Sequence, residues 1–320
     1  LKEHVITSEV RPLEGIKVIE FSHMVLGPSC GLILADLGAD VVKVEPAPGG
    51  DKTRQLPGSG SGFFGAFNRN KRSIAVNLKS PEGHRFATNL ILESDVLIEN
   101  FGAGVMDRLG LGYKAIQEIN PRLIYCALKG FLSGPYENRN ALDEVVQMMG
   151  GLAHMTGPKG RPLRAGASVN DLVGALFGAV AIQAALLERQ RTGQGTFVRS
   201  GLFESNMFLV ANHMVQYCQT GMPADPMPER KASWAVYDVF QTADDEKVFV
   251  GVVSDKQWVE FCRAFNLQDL VENRDLSTNV QRVECREKFI PRLHKMFKTY
   301  NLSQVTKILE SFGLPFAPIM

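Results

Sequence analysis

Hydrophobic and polar positions along the first part of the chain alternate between two kinds of period. Short apolar runs such as "GIKVIEFSH" and "DVVKVE" are typical of buried strands, and "EGHRFATNLILES" has apolar residues at helical spacing. These strand and helix patterns follow each other with short connections. That order predicts an α/β fold with an open, mostly parallel, Rossmann-like sheet.

The predicted elements continue to the middle of the chain. Ser80 and Pro81 form a helix-start signal before "EGHRFATNLILES", and Gly193 is a helix stop. The pattern predicts further strands at "SIAVNLK", "DVLIENF", "RLIYCALKGF" and "GTFVRSG", and helices at 27–38, "GVMDRLGLGYKAIQEIN", 172–190 and "LFESNMFLVANHMVQYC".

A change in composition divides the chain. The stretch "QTGMPADPMPERKAS" is rich in Pro, Gly and charge, which predicts a linker at 219–232 after a first domain at 1–218. Beyond it, "AVYDVFQTADDEKVFVGVV" has the pattern of a hairpin, and helical periodicity continues to about Gly313. The region 233–320 is therefore predicted to be a smaller α+β domain.

Composition narrows the classes of protein. The 320 residues are 45% hydrophobic with a formal net charge of +1, so we expect a large core, no nucleic-acid partner and no membrane partner. The apolar run "LVGALFGAVAIQAALL" is short for a membrane span and favours a core helix. Five cysteines without a CxxC pair favour a reducing compartment, either the cytoplasm or, in a eukaryote, the mitochondrial matrix. No sequence motif indicates a metal.

Candidate chemistry gathers where the predicted strands end. Ligands of parallel sheets bind at the carboxyl ends of the strands, and there the sequence places Lys79, Asn100 and Lys129, with Arg108 on the helix that follows. This edge suits a phosphate-bearing ligand, although solvated loop ends are an equally good interpretation. The first turn, "FSHMVLGPSCG", has no G-x-G-x-x-G, which argues against a nicotinamide dehydrogenase.

Several long stretches resemble the class III coenzyme A transferases, from about Pro12 to Pro318. The resemblance rests on "PLEGIKVIEFSHMVLGPSCGLILADLGADVVKVEPAPGGDKTR", "NRNKRSIAVNLKSPEG", "DVLIENFGAGVMDRLGLGY", "NPRLIYCALKGF" and "RAGASVNDLVGAL". It implies an enzyme that uses an acyl-CoA and a carboxylate acceptor, with coenzyme A (CoA) as part of a substrate and no cofactor. It also implies an interlocked homodimer. Family members continue beyond "GLPFAPIM" with a segment that returns to the first domain, so we expect this chain to lack that segment.

The resemblance assigns roles to particular residues. It implies that Asp171 is the nucleophile and that Asp143, in "LDEVVQMMGG", is a second acid at the site. It implies no metal ligands. The residues implied to bind CoA, besides Asp143, are Val25, Leu26, Val76, Asn77, Leu78, Lys79, Asn100, Phe101, Gly102 and Arg108.

Two departures from related enzymes restrict the reactions that fit this sequence. Formyl-CoA transferase has a glutamine in place of Val25 and a glycine-rich flap, and no such glycine run occurs between Met222 and Val236. The related acyl-CoA racemases use a His–Asp pair, but "ALDEVVQ" contains no histidine. The prediction is a CoA-transferase acting on a small carboxylic acid, by analogy a dicarboxylate. The alternatives are a racemase of the same superfamily and a non-catalytic CoA- or nucleotide-binding protein.

An aspartate suits CoA transfer because a carboxylate nucleophile forms an anhydride and then an enzyme thioester, and so conserves the energy of the donor thioester. The backbone N–H groups of Gly150 and Gly151 are candidate oxyanion donors. Other roles are open for each candidate: a helix N-cap for Asp171, a capped loop acid for Asp143, solvated charge for Lys71 and Arg72, an ion pair with Asp107 or Glu99 for Arg108, and a satisfied loop histidine for His23.

Overall fold

The structure is a computed structural model that describes residues 11–230 and 232–320. The chain divides into two compact units between Glu229 and Arg230. Residues after the predicted end of the first domain belong to the first unit: the Met227 N–H donates to the Met155 carbonyl (2.9 Å), and the Lys159 N–H donates to Glu229 Oε1 (2.7 Å).

The first unit contains a six-stranded parallel sheet, which confirms the predicted fold class. Its strand order is β3-β2-β1-β4-β5-β6, and every neighbouring pair is parallel. The order reverses at β1, so a crevice opens between the carboxyl ends of β1 and β4. The strands are β1 Lys17–Phe21, β2 Asp40–Pro46, β3 Arg72–Val76, β4 Val96–Glu99, β5 Ile124–Lys129 and β6 Phe197–Gly201.

The helices of the first unit pack on the sheet. As predicted, Pro81 begins a helix that Ser80 caps by accepting the Gly83 N–H (3.1 Å). The single helix predicted from 104 to 120 is two short ones, because Gly110 (φ 70°) interrupts it. The helices are α1 Leu26–Asp36, α2 Phe63–Asn68, α3 Pro81–Leu92, α4 Val105–Arg108, α5 Tyr113–Ile119, α6 Asp143–Met149, α7 Leu152–Thr156, α8 Val169–Thr192 and α9 Leu202–Thr220, with 3₁₀ turns at Lys52–Gln55 and Gly58–Gly60.

Helix α8 is the longest element and is packed through small residues. A Cβ at Gly178 would lie 2.7 Å from Leu128 Cδ2, and one at Gly174 would lie 2.9 Å from Leu26 Cδ1, so larger residues would separate α8 from β5 and α1. Gly193 ends the helix at φ 74°, as the sequence predicted. At 24 residues α8 exceeds the apolar run seen in the sequence and is long and apolar enough to span a membrane, although much of it is buried in this unit.

The second unit contains an antiparallel sheet in the order β7-β8-β9. The predicted hairpin is confirmed: Val236 pairs with Val252 and Gln241 with Lys247. The third strand was not predicted, because only a short segment pairs with β8. Aromatic residues such as Phe240, Phe261 and Phe297 fill the core of this unit. Its elements are β7 Val236–Gln241, β8 Lys247–Val252, α10 Asp255–Ala264, α11 Gln268–Glu272, a 3₁₀ turn Arg274–Leu276, α12 Asn279–Glu284, α13 Arg286–Phe297, α14 Leu302–Ser311 and β9 Phe316–Pro318.

Candidate active site

Two loops meet at the crevice between β1 and β4, and we call them the switch-point loops (residues 22–26 and 100–104). The Asn100 side chain holds the first loop: its Oδ1 accepts the His23 N–H (3.0 Å) and its Nδ2 donates to the His23 carbonyl (2.9 Å). The His23 ring stacks on Phe101 at 5.8 Å. Partial desolvation lowers the pKa of His23, against the opposing charge of Asp51. Asn100 thus fixes the backbone of His23, but no hydrogen bond reaches its ring nitrogens within the described residues, so the interpretation as a satisfied loop histidine holds for the backbone alone.

The first switch-point loop presents backbone groups to the crevice. Val25 and Leu26 are buried, so their side chains belong to the core. Helix α1 begins at Leu26 without a side-chain cap, and its first turn therefore leaves the N–H groups of Leu26 and Gly27 without intrahelical partners. Such N–H groups suit an anionic or carbonyl oxygen.

A buried ion cluster of Glu20, Lys43, Asp51 and Lys71 lies beneath this loop. Lys43 Nζ donates to the Ser22 carbonyl (2.7 Å) and lies 3.3 Å from Glu20 Oε1 and 3.1 Å from Asp51 Oδ2. Lys71 Nζ pairs with Glu20 Oε2 at 2.8 Å, and burial lowers the pKa of Lys71. The proposal that Lys71 is solvated surface charge is therefore wrong.

Helix α4, which follows the second switch-point loop, and the turn after β3 carry exposed cations. Arg108 and Lys79 are exposed, and no ion pair reaches either within the described part of the chain. The alternative role of Arg108, an ion pair with Asp107 or Glu99, is thus not seen. Asn77 shapes the turn before Lys79 by accepting the Lys79 N–H on its Oδ1 (3.1 Å). Val76 is buried, Leu78 and Phe101 are half-buried, and Gly102 is exposed.

Lys129 differs from the prediction that it would face a ligand at the sheet edge. Its Nζ lies 2.6 Å from Glu99 Oε1 and donates to the Phe101 carbonyl (2.7 Å). Burial raises the pKa of Glu99, and the Lys129 charge opposes that effect. Lys129 therefore supports the second switch-point loop, and sequence alone could not reveal its partner.

Asp143 and Asp171, which we call the acid pair, lie at the starts of α6 and α8. Asp143 is buried: its Oδ1 accepts the backbone N–H of Asn170 (2.8 Å) and its Oδ2 accepts from Gln147 Nε2 (2.5 Å). Asp143 thus holds the residue immediately before Asp171. It is the first residue of a helix and not a capped loop acid.

Asp171 is in the first turn of α8, three residues after the N-cap position, which Ser168 occupies. The prediction that Asp171 could be the N-cap is therefore wrong. Its side chain is half-buried, and no hydrogen bond or ion pair reaches its carboxylate within residues 11–230 and 232–320. Burial and the charge of Asp143 raise the pKa of Asp171 to about 7, while Arg164 lowers it.

Polar residues that sequence reasoning missed connect the acid pair to its surroundings. Gln147 Oε1 accepts the Ala165 N–H (2.8 Å), and Asn206 Nδ2 donates to Asn170 Oδ1 (3.2 Å). Asn206 is buried, and a Cβ at Gly150 would lie 2.0 Å from its Oδ1. Gln147 lies one helical turn after Asp143 and Asn170 directly before Asp171, so adjacency to predicted site residues was the available signal.

The two glycines proposed as oxyanion donors are not equivalent. The Gly150 N–H donates to the Val146 carbonyl at 2.8 Å, so this N–H is already used by α6. Gly151 has φ 86°, a conformation that glycine adopts without strain. Only Gly151 of the pair remains a candidate.

The contact between Leu26 and Gly174 brings the switch-point loops and the acid pair together. Gly174 lies one helical turn after Asp171, so the start of α1 adjoins the start of α8. The crevice thus combines free helix N–H groups, exposed cations and an unpaired carboxylate. Within the described residues, no group of three or more His, Cys, Asp or Glu side chains could hold a metal ion.

This arrangement is that of an α/β enzyme with a carboxylate at the sheet crevice, and comparison with known proteins defines the family. The sequence profile of CoA-transferase family III matches residues 13–320, and the chain belongs to that family of transferases.

Three similar proteins support this assignment. An acyl-CoA transferase from Fusarium pseudograminearum is 39% identical over 96% of this chain and 70% of its own length. The succinyl-CoA:glutarate CoA-transferase of Homo sapiens is 34% identical over 98% of this chain and 72% of its own. The crystal structure of a CAIB/BAIF family protein from Brucella suis has a TM-score of 0.84 and 34% identity, covering 98% of this chain and 85% of that one.

Proposed function

We propose that this transferase moves CoA from an acyl-CoA to a small dicarboxylate, with Asp171 as the covalent nucleophile. The observation that carries the proposal is the half-buried Asp171 carboxylate, which has no partner among the described residues while its neighbour Asp143 is fully hydrogen-bonded. The similarity to a succinyl-CoA:glutarate CoA-transferase supports a dicarboxylate acceptor.

The reaction needs four carbonyl substitutions and no net proton or electron. An Asp171 oxygen attacks the donor thioester carbonyl, the C–S bond breaks, and a mixed anhydride and CoA thiolate form. The thiolate attacks the aspartyl carbonyl, which releases the donor acid and leaves an aspartyl-CoA thioester. The acceptor carboxylate attacks that thioester and releases the thiolate, which then attacks the acceptor carbonyl of the new anhydride. Asp171 is restored as a carboxylate.

The environment of Asp171 suits these steps. A carboxylate that is half-buried and free of ion pairs is less strongly stabilised than one in water, so it is a better nucleophile. Its pKa of about 7 keeps a substantial ionised fraction at neutral pH. The Gly151 N–H and the free N–H groups of the α1 first turn are the nearby backbone donors that we assign to the oxyanions.

We assign CoA itself to the switch-point loops. Arg108 and Lys79 would pair with its phosphates, and the buried Val25–Leu26 segment would offer backbone N–H groups. Asn100, Phe101, Gly102 and the turn at 76–78 would form the rest of the surface. CoA is a substrate in this proposal, and no separate cofactor is required.

We also propose that the protein acts as a homodimer. Helices α8 and α9 carry a row of exposed apolar side chains, and Phe177 packs edge-to-face on Phe208 at 5.2 Å in the middle of it. Faces of this kind mark protein contacts. The apolar side chains exposed on this row include Leu176, Val180, Leu187, Leu209, Val215 and Tyr217.

The compartment is a further proposal. All five cysteines are free, and three of them are buried thiols. A reducing compartment fits this usage, and we propose the cytoplasm or, in a eukaryote, the mitochondrial matrix.

Trapping the covalent intermediate tests the proposed function. Incubation with an acyl-CoA and no acceptor should add the mass of one CoA to the chain, and hydroxylamine should release CoA and leave a hydroxamate on the peptide containing Asp171. Asp171→Asn should give no adduct, while Asp225→Asn, at an exposed acid, should behave as wild type. A racemase or a binding protein would give no adduct with any variant. An adduct on a cysteine would overturn the aspartyl mechanism.

A further inference from the structure

Arg164 lies in the segment between α7 and α8 and faces the acid pair. Its Nε donates to the Ala165 carbonyl (3.1 Å), its Nη1 donates to Glu144, and its Nη2 lies 4.0 Å from Asp143 Oδ2. The side chain is 40% exposed. Arg164 is therefore fixed at one side and open to solvent at the other, beside two carboxylates that the reaction needs.

The guanidinium of Arg164 has donors to spare. A guanidinium carries five N–H bonds, and the two hydrogen bonds to Ala165 and Glu144 use one each. The Nη2 group makes no hydrogen bond, because its 4.0 Å separation from Asp143 is beyond hydrogen-bond range. Both Nη2 hydrogens and one on Nη1 remain for an incoming group. This is the fork that binds a carboxylate through two parallel bonds.

The charges around Asp171 require a cation if a dicarboxylate is to enter. Asp143, Glu144 and Asp171 place up to three negative charges in this region, and a dicarboxylate adds its own. Arg164 is the cation whose charge acts on Asp171 and lowers its pKa, against burial and Asp143, which raise it. No other cation is among the main influences on Asp171. The second carboxylate of a dicarboxylate would be repelled by these acids if Arg164 did not bind it.

We infer that Arg164 binds the free carboxylate of the dicarboxylic acyl group, both in the CoA donor and in the acceptor. An ion pair with Arg164 would make the reacting carboxyl group less reactive toward Asp171. The Arg164 guanidinium is therefore assigned to the carboxylate at the other end of the dicarboxylic acyl group. One site serves both halves of the reaction because donor and acceptor occupy the same acyl position in turn. This inference rests on the proposed function and names the feature that selects dicarboxylates.

The test compares acyl groups that differ only in the free carboxylate. Acceptor activity is measured with glutarate and its monomethyl ester, and donor activity with succinyl-CoA and butyryl-CoA. Arg164→Gln should lower kcat/KM for glutarate and succinyl-CoA by about 10- to 150-fold, as expected for a lost charge-assisted bond. Because removing Arg164 also raises the pKa of Asp171, the rates are compared on the high-pH plateau of each variant, where Asp171 is ionised. There the ester and butyryl-CoA should stay within about threefold. Arg164→Lys should recover only part of the lost kcat/KM for glutarate and succinyl-CoA, because lysine keeps the charge but lacks the planar guanidinium.

Arg161 provides the matched control, because it is an exposed arginine three residues earlier on the same segment. Arg161→Gln should leave all four substrates unchanged. An equal loss for charged and uncharged acyl groups with Arg164→Gln, or no loss for either, would overturn the inference and give Arg164 a structural role toward Glu144. Melting temperatures of both Arg164 variants check that they are folded.

The adduct from butyryl-CoA separates this inference from the proposed function. At a pH where Asp171 is ionised in both, wild type and Arg164→Gln should form it on Asp171 equally, which would leave the aspartyl mechanism standing whatever the dicarboxylate data show. No adduct with the wild type would overturn the proposed function itself. Loss of the adduct in Arg164→Gln alone would overturn only the assignment of Arg164 to the free carboxylate.

Discussion

The switch-point loops and the acid pair differ in whether their buried charged groups have partners. Beneath the first loop, Glu20, Lys43 and Lys71 are fully buried and joined to one another by ion pairs. At the acid pair, Asp143 is held by two hydrogen bonds, but Asp171 has none within the described residues. Buried charges cost several kcal/mol unless they are paired, so a carboxylate without a partner is informative.

The buried ion cluster supports the backbone, whereas the acid pair leaves one carboxylate available for reaction. The ion cluster and Asn100 fix the backbone that we propose faces CoA, and their contacts make the first switch-point loop more rigid. Asp171 cannot be used as such a support in the proposed reaction, because a carboxylate held by an ion pair would be a poor nucleophile. Its neighbour Asp143 instead fixes the Asn170 backbone and leaves the Asp171 side chain available. Asn170, whose backbone is held, is thus followed directly by the proposed nucleophile.

The largest expected effect comes from removing the unpaired group. Asp171→Asn should reduce CoA transfer by about a thousandfold or more, because no other described carboxylate is positioned to replace the nucleophile. Steady-state transfer from succinyl-CoA to glutarate measures this. Retention of more than a few per cent of the activity would show that Asp171 is not the nucleophile.

The stability of the same variant sharpens the comparison. The folded-state pKa of Asp171 is about 7 against an ordinary value of 3.8, so folding favours the neutral form. That contribution to stability is complete below pH 3.8 and is lost as the pH rises through 7. Asp171→Asn, which stays neutral, should therefore melt no lower than wild type at pH 8. A marked drop in melting temperature would indicate a structural role for the carboxylate.

Disrupting the buried ion cluster should lower the stability of the fold. Lys43→Met keeps the length of the side chain but leaves Glu20 and Asp51 without their shared cation, and we expect a loss of about 3–5 kcal/mol in the free energy of unfolding. Arg72→Met is the control, because Arg72 pairs with Asp40 at the surface and should cost less than about 1 kcal/mol. Denaturant unfolding measures both. Equal losses would contradict the distinction between buried and surface pairs.

Sequence reasoning succeeded where local pattern determines structure. Strand and helix periods predicted the parallel sheet, and Ser80 and Gly193 marked helix ends correctly because caps depend on neighbouring residues. The positions of the strand ends followed from the same pattern, whereas the strand order came only from the structure. The family resemblance pointed to Asp171 as a nucleophile, a role that stays a prediction, whereas local pattern alone would have made it a helix cap.

It failed where a charge finds its partner through the fold. The sequence predicted Lys129 and Lys71 to be free for a ligand or for solvent, but both pair with glutamates that are distant in the sequence. Asp143 contacts Asn170 only because α6 packs beside the start of α8. Residue type gives the sign of a charge, while its partner depends on tertiary packing. The roles of the CoA-binding residues and of the acid pair stay predictions that the experiments address.

A smaller effect is expected from an exposed cation on α4, the helix that follows the second switch-point loop. Arg108→Ala should weaken CoA binding by about 1–3 kcal/mol, because a charge-assisted contact to a phosphate would be lost. Arg85→Ala, at an exposed arginine on α3, is the control. Calorimetry with CoA measures both variants. Unchanged affinity with Arg108→Ala would remove Arg108 from the site.

The smallest effect is a shift of pH dependence within the acid pair. Only ionised Asp171 can attack, so transfer should rise with pH through about 7, the pKa that burial and the Asp143 charge give this group. Asp143→Asn removes the like charge, and the pKa of Asp171 should fall toward its ordinary value. The rising limb of kcat/KM should therefore move to lower pH, while the rate at pH 8 changes little beyond the loss of the Gln147 contact. A limb that stays in place, or moves to higher pH, would mean that the charge of Asp143 does not act on the reacting group. Asp143 would then serve only to hold the Asn170 backbone.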